Sequence, residues 1–150
     1  MIKFNDNGFI NFLNNVKPTK LKSPLKSAIR KSLNIIKKSA KSNLKQVTPN
    51  YNKKDKYGLT LQDGIVVKVD KDALSGRAEI ISKGRKNNFK LKFFENGTAS
   101  RYTKKKSFRG SMKATGFFSS AVNSTKSKVD ESLKKNLEDS LNKAFQKYAK

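Results

Sequence analysis

The sequence predicts an α+β domain: a long amphipathic helix, a small antiparallel β-sheet and a second long helix. Apolar residues recur every three or four positions over residues 25–47 and again over 122–148, which is the period of a helix. Between these stretches, short β-branched runs alternate with turn residues, which is typical of strands. A chain of 150 residues corresponds to one domain. We place that domain at residues 23–150, after an N-terminal arm of residues 1–22.

The first helix is predicted from a start signal, an apolar stripe and a stop signal. Ser23 can accept a hydrogen bond from a first-turn amide, and Pro24 loses nothing at the first helical position, so we expect the helix to begin there. Pro49 follows the last periodic residue and is expected to end the helix. The stripe comprises Leu25, Ile29, Leu33, Ile36, Ala40, Leu44 and Val47.

Three strands are expected to form an antiparallel meander. The first two are the β-branched runs at residues 64–69 and 78–81, and the third is residues 89–94, where apolar and basic side chains alternate. Polar turns are expected at residues 70–76 and 83–88. The apolar face of the sheet, expected to pack under the two helices, comprises Ile65, Val67, Val69, Ile80, Phe89, Leu91 and Phe93.

A turn and a loop are expected between the sheet and the last helix. Glu95 is expected to form a structural ion pair or to cap the turn, and Gly97 to adopt a backbone conformation that a Cβ atom would strain. Residues 99–115 lack periodicity, which predicts a basic loop that is mobile by itself. The cations of this loop are Arg101, Lys104, Lys105, Lys106, Arg109 and Lys113.

The charge of the chain calls for an anionic neighbour. There are 35 Lys and Arg against 11 Asp and Glu, a net charge of +24. A monomer with this charge repels itself, so nucleic acid, an anionic membrane or acidic protein subunits are the candidate partners. The last helix is nearly balanced, so the excess lies in the first helix and in residues 83–113. The apolar stripe of the first helix has no Trp or Phe anchor, which favours packing in the core over binding to a membrane.

No residue pattern indicates catalysis or a bound cofactor. The chain has no Cys and no His, which removes disulfides, thiolate metal sites and the commonest general base. Asp63, Asp70, Asp72 and Glu79 match no metal-binding loop and are interpreted as solvated turn carboxylates. No apolar run reaches membrane-spanning length, and no signal-peptide pattern opens the chain, which predicts synthesis in the cytoplasm. We therefore expect a non-enzymatic protein with no metal, cofactor or membrane partner.

The basic loop has three interpretations. Tyr102 and Phe108 interleave with its cations, as in surfaces that pair with phosphates and stack on bases. A solvated charge run that only keeps the loop soluble has the same composition. In the third interpretation the loop orders against an acidic neighbour in an assembly.

The order of several short motifs resembles a known family. The motifs are Ala28-Ile29-Arg30-Lys31 through Val47-Thr48-Pro49, Tyr57-Gly58-Leu59, Gly64-Ile65, Phe93-Phe94-Glu95-Asn96-Gly97-Thr98 and Gly116-Phe117-Phe118-Ser119-Ser120-Ala121. In this order, over about residues 20–148, they resemble the head–tail joining (tail-completion, neck) protein family of tailed bacteriophages. The chain departs from the family at residues 112–116, where Pro and Arg usually precede the Phe of the final junction, and its basic loop is longer and more basic.

The resemblance implies a structural virion protein. In that family, copies form a ring between the portal and the tail, around the DNA channel; sixfold and twelvefold rings are both compatible with it. The implied partners are identical subunits, portal or adaptor and tail proteins, and genomic DNA contacted without sequence specificity. The implied site comprises the basic loop, a turn motif of Glu95, Gly97 and Thr98, and a junction at Phe117 and Phe118. The alternative is a freestanding, sequence-tolerant, histone-like nucleic-acid-binding protein.

Overall fold

The computed structural model describes residues 17–55, 58–81 and 89–148, and it has the predicted α+β layout. In chain order the elements are α1 (Pro18–Val47), a turn of 3₁₀ helix (Leu61–Gly64), β1 (Ile65–Val69), β2 (Gly76–Ile80), α2 (Phe89–Asn96) and α3 (Phe117–Tyr148). Residues 1–16 of the predicted N-terminal arm and the turn expected at residues 83–88 lie outside the described residues. The fold is therefore a long helical pair with a β-hairpin and a short helix packed beside it.

Helix α1 begins at Pro18, so the predicted start at Ser23 is wrong. Pro18 is as well suited to the first position of a helix as Pro24, and it lies five residues before the predicted cap, Ser23. The helix then continues through Pro24. Leu21, in the first turn of the helix, packs with Ala144 and its neighbours near the end of α3. This contact stabilises a turn that the sequence analysis had placed outside the helix. The helix consequently runs across the boundary at residues 22 and 23. At its other end Thr48 caps the helix and Pro49 follows, as predicted.

The two long helices are antiparallel and meet through small side chains. At one end Leu21 of α1 lies against Ala144 of α3, and at the other the Asn43 side-chain amide donates to the Phe117 carbonyl at 2.9 Å. The fully or nearly buried seam residues are Ala28, Ser32 and Ala40 on α1 and Ala121, Thr125 and Ala144 on α3. Small residues at the seam allow the two helices to approach closely, each about 45–48 Å long at about 1.5 Å per residue.

A polar network fixes the register of the helical pair. The Asn136 side-chain amide donates to the hydroxyls of Ser32 at 3.1 Å and Ser132 at 2.9 Å. Ser32 in turn donates to the Ala28 carbonyl at 3.1 Å, so its buried hydroxyl is satisfied. The Asn136–Ser32 hydrogen bond joins α3 to α1, so sliding one helix past the other would break it.

The sheet is a two-stranded antiparallel hairpin, in which Ile65 pairs with Ile80 and Val69 with Gly76. It packs against α1. A Cβ atom added to Gly76 would lie 2.7 Å from Ile29 Cγ2, which shows how closely the strand approaches the helix. Ile65 is fully buried, whereas Val67 and Val69 are half-buried.

The predicted third strand is wrong: residues 89–96 form helix α2. In a helix, Leu91 and Phe94 share one side, and both enter the core, Leu91 at 0% exposure. Phe93, which the strand model placed in the sheet face with Leu91, is 38% exposed, and the Phe89 side chain lies outside the description. A short stretch of alternating apolar and basic residues does not distinguish the period of a strand from that of a helix. Here contact of Leu91 and Phe94 with the core favours the helix. The main core cluster comprises Ala40, Leu44, Leu61, Ile65, Leu91, Phe117 and Ala121.

Candidate functional site: the basic hairpin

The predicted basic loop folds back on itself as a hairpin over residues 98–112, which we call the basic hairpin, with one β-bridge between Tyr102 and Phe108. Its strands are joined by hydrogen bonds from the Thr103 amide to the Ser107 carbonyl at 2.8 Å and from the Arg109 amide to the Arg101 carbonyl at 2.6 Å. The Arg101 amide donates to the Gly110 carbonyl at 3.1 Å, so two residues lie opposite Arg101, as in a β-bulge. Hydrogen bonds between the two arms therefore hold this loop as a hairpin, a pairing that the sequence analysis did not predict.

The base of the hairpin is closed by Thr98. Its amide donates to the Met112 carbonyl at 2.9 Å, and its hydroxyl accepts from the Met112 amide at 2.9 Å. Both hydrogen-bonding groups of Thr98 thus hold the two arms together where they leave the domain. The turn motif at residues 95–98 positions the hairpin.

Gly97 makes this closure possible. Its φ is +71°, the left-handed region that Cβ atoms disfavour, as the sequence predicted. A Cβ atom there would lie 2.6 Å from the Met112 carbonyl oxygen and 2.8 Å from the Ala114 nitrogen. The absence of a side chain lets the chain returning from the hairpin pass directly over residue 97.

Glu95 caps helix α3, 22 residues further along the chain. Its carboxylate accepts from the Phe118 amide at 2.8 Å and from the Ser119 amide at 3.0 Å, and the Ser119 hydroxyl also donates to it. The first amides of a helix lack partners within the helix, and a negative charge there is favoured by the helix dipole. Of the two predicted roles for Glu95, the cap is the one that the structure contains, but it caps α3 rather than its own turn.

The junction to α3 is tied to α2 by further hydrogen bonds. The Thr115 amide and hydroxyl donate to the Phe94 carbonyl at 2.9 and 2.7 Å, and the Gly116 amide donates to the Glu95 carbonyl at 3.1 Å. Phe117 follows and is buried in the main core, while Phe118 packs against it half-buried. The hairpin therefore projects from a rigid base formed by the end of α2 and the start of α3.

An exposed aromatic pair lies on the hairpin. Tyr102 and Phe108 face each other across the strands, with ring centroids 5.6 Å apart and ring planes inclined at 58°. Each residue is 62% exposed. The hydrogen bonds between the two arms lie on either side of Tyr102 and Phe108, so these residues form a non-hydrogen-bonded antiparallel pair. In such a pair the opposing side chains are closest. The sequence analysis identified both aromatic residues but did not predict that they face each other. The mirrored order Arg-Tyr-Thr and Ser-Phe-Arg on either side of three lysines could have indicated this pairing.

The structure places the predicted cations on and beside this hairpin. All six of them are exposed; five belong to the hairpin and Lys113 follows its base. No acidic residue occurs between Glu95 and Asp130, so no carboxylate within the hairpin neutralises them. The six are Arg101, Lys104, Lys105, Lys106, Arg109 and Lys113.

A second basic surface runs along the outer face of α1. A shallow cleft there is lined by Lys22, Lys26, Arg30 and Lys31 together with Ser and Asn side chains. The chain has no acidic residue between Asp6 and Asp55, so this helix carries no negative charge. The excess positive charge of the described residues thus lies mainly on α1 and on the basic hairpin. The sequence analysis had placed it in the first helix and in residues 83–113.

The turn carboxylates have local partners. Asp63 accepts from the Thr60 amide at 2.8 Å and from the Thr60 hydroxyl at 2.7 Å, and these bonds, the amide first, hold the pKa of Asp63 below its ordinary value. Salt bridges from Lys68 and then Arg77 likewise lower the pKa of Glu79. Within the described part of the chain, no three His, Cys, Asp or Glu side chains cluster as a metal site would require.

Among residues 17–55, 58–81 and 89–148, no helix is long and apolar enough to cross a membrane. No protein-family model, curated protein or solved structure matches this chain. The site is therefore interpreted from its own geometry.

Proposed function

We propose that this chain is a structural virion protein. Its copies form a ring in the neck or tail of a bacteriophage and join the portal–capsid vertex to the tail around the DNA channel. The observation that carries the proposal is the connected unit at residues 93–121. In it, Glu95 caps α3, Gly97 admits the returning chain and Thr98 closes a projecting hairpin. These are the residues on which the family resemblance rests, and their mutual contacts support reading them as one motif.

The charge distribution supports an assembled state. Like charges on α1 and on the basic hairpin destabilise an isolated molecule, and acidic portal or tail surfaces, or DNA in the channel, would offset that repulsion. Non-specific contact with genomic DNA is part of the proposal. The protein is made in the host bacterial cytoplasm and resides in the virion.

The packing supports association as well. Small residues occupy the seam of the helical pair, while larger apolar side chains on both long helices remain half-buried. Contacts between neighbouring copies would remove more of this apolar surface from water. Leu25, Ile36, Val122, Val129, Leu133 and Leu137 are examples of these half-buried residues.

Two measurements test the proposal. Light scattering coupled to gel filtration gives the mass of the purified protein, and electron microscopy of phage particles with a labelled copy locates it. We expect closed assemblies and a label at the neck or tail. Absence of the protein from purified particles would refute the proposal.

The basic hairpin favours a second candidate, a freestanding, sequence-tolerant nucleic-acid-binding protein. That protein would bind duplex DNA tightly as a monomer or dimer, with an affinity that falls steeply with salt. A ring subunit binds duplex DNA weakly when isolated, because its cations act together only in the assembly. Titration of duplex DNA at two salt concentrations therefore separates the two candidates.

A further inference from the structure

We propose that the basic hairpin binds single-stranded nucleic acid, with phosphates on its cations and an unpaired base against the aromatic pair, Tyr102 and Phe108. This inference goes beyond the ring assembly and does not depend on it, because every residue that it uses lies in one hairpin of one chain. It assigns separate roles to the two kinds of side chain that the hairpin exposes.

The aromatic pair provides a stacking surface. Each residue is 62% exposed, and the rings meet at an inclination of 58° rather than as a parallel stack, so aromatic surface remains open to solvent. Large aromatic side chains bury apolar surface when they find a partner, and a base offers a flat π-face of matching size. Stacking on an aromatic side chain adds affinity for a single strand and is open to every base, because every base has a π-face.

The cations provide the backbone site. Backbone pairing places Arg101 opposite Arg109, and like charges directly opposite on paired strands are destabilising. Lys104, Lys105 and Lys106 add charge at the tip, and no carboxylate lies nearby in sequence. A chain of phosphates relieves this repulsion and releases counterions, which is the main source of affinity for nucleic acids.

The combination selects a single strand over other polyanions. An acidic protein satisfies the cations but supplies no array of flat π-faces for the aromatic pair. A duplex has the phosphates, but its bases are stacked on one another and their faces are hidden. The base of the hairpin, closed by Thr98 and Met112, holds both groups in place before binding, which lowers the ordering cost.

Fluorescence anisotropy with the full-length protein tests the role of the aromatic pair. The ligands are labelled oligo(dT), a matched DNA duplex, heparin as a polyanion without bases, and polyglutamate. The double variant Tyr102→Leu/Phe108→Leu keeps apolar side chains at the pair but removes the π-faces. We expect it to bind oligo(dT) about tenfold or more weakly, since about 1.4 kcal/mol corresponds to tenfold. Its affinity for heparin should change less than twofold.

Charge variants test the role of the cations. Replacing Lys104, Lys105 and Lys106 with Gln should weaken binding to every polyanion and reduce the slope of log affinity against log salt by about 2. A matched control replaces three exposed lysines of the nearly charge-balanced helix α3 with Gln and removes the same charge outside both basic surfaces. We expect this control to retain most of the affinity for oligo(dT). The control positions are Lys126, Lys128 and Lys135.

Three results would overturn the inference. They are unchanged oligo(dT) binding by the Leu double variant, equal losses from the two lysine triples, and polyglutamate bound as tightly as oligo(dT). Circular dichroism confirms that each variant is folded. Gel filtration of the same samples reports assembly separately. A wild-type protein that assembles but does not bind oligo(dT) therefore rejects this inference alone, and a wild-type protein that binds oligo(dT) but does not assemble rejects only the proposed ring.

Discussion

Replacing Gly97 with Ala should destabilise the protein by about 2–5 kcal/mol. A left-handed conformation costs a residue with a Cβ atom about 1–2 kcal/mol. The new Cβ would also lie 2.6 Å from the Met112 carbonyl oxygen and 2.8 Å from the Ala114 nitrogen. These are backbone atoms, and the Thr98–Met112 hydrogen bonds hold one of them in place, so overpacking adds about 1–3 kcal/mol.

Gly116→Ala is the matched control. Gly116 also has a positive φ, +57°, but an added Cβ there meets no atom within 4 Å. It should therefore cost only the conformational part, about 1–2 kcal/mol. Gly97→Val should be worse than Gly97→Ala, because a β-branched side chain is still less compatible with this conformation.

Urea unfolding followed by far-ultraviolet circular dichroism measures both free energies. The difference between the two Ala variants, about 1–3 kcal/mol, isolates the contribution of the close approach of residues 112–114 to Gly97. Equal free energies of unfolding for Gly97→Ala and Gly116→Ala would show that the close approach contributes nothing. Formation of wild-type assemblies by Gly97→Val would contradict its role in positioning the hairpin.

Three further predictions concern the same region and the first turn after α1. Glu95→Ala should lower the free energy of unfolding by about 1–2 kcal/mol, because two amides of α3 lose their acceptor. Glu95→Gln should lose less, because its amide oxygen still accepts a hydrogen bond; a Gln variant as stable as the wild type in urea unfolding would show that the negative charge contributes nothing to the cap. Phe117→Ala should cost about 3–5 kcal/mol and Phe118→Ala less, since only Phe117 is fully buried; calorimetry or urea unfolding that ranks them in reverse would contradict the core assignment. Because the pKa of Asp63 is lowered from 3.8, its stabilising contribution is present near neutral pH and is lost as the pH falls through the folded value. The urea midpoint of Asp63→Asn should therefore fall less than that of the wild type between about pH 6 and pH 3. The fall that remains in the variant includes the contribution of Glu79, whose pKa is also lowered. Equal falls in the urea midpoints of the two proteins would show that Asp63 does not contribute to the pH dependence.

Local patterns predicted the long elements well. The stripe from Leu25 to Val47 and the repeat after Val122 each extend over several helical turns, so the period is unambiguous. The runs at residues 65–69 and 76–80 were also placed within two residues, since β-branched side chains and flanking turn residues agree there. Gly97 was identified because its neighbours form a turn signal that favours a residue without Cβ.

Short elements were not predictable in the same way. Residues 89–94 alternate like a strand, yet Leu91 and Phe94 reach the core only from one side of a helix. The basic hairpin has no periodic signal of its own, because its order comes from pairing between arms about ten residues apart. Glu95 could be recognised as structural, but its partners Phe118 and Ser119 lie more than twenty positions away.

The sequence by itself determined the α+β class, the two long helices, the absence of any His or Cys chemistry and the excess of positive charge. These follow from composition and from periods that repeat over many residues. Tertiary structure decided where α1 begins, that residues 89–96 are a helix, that Glu95 caps α3 and that Tyr102 meets Phe108 on a cationic hairpin. Each of these depends on contacts between distant parts of the chain, whose free energies outweigh the weak preferences of a few neighbouring residues.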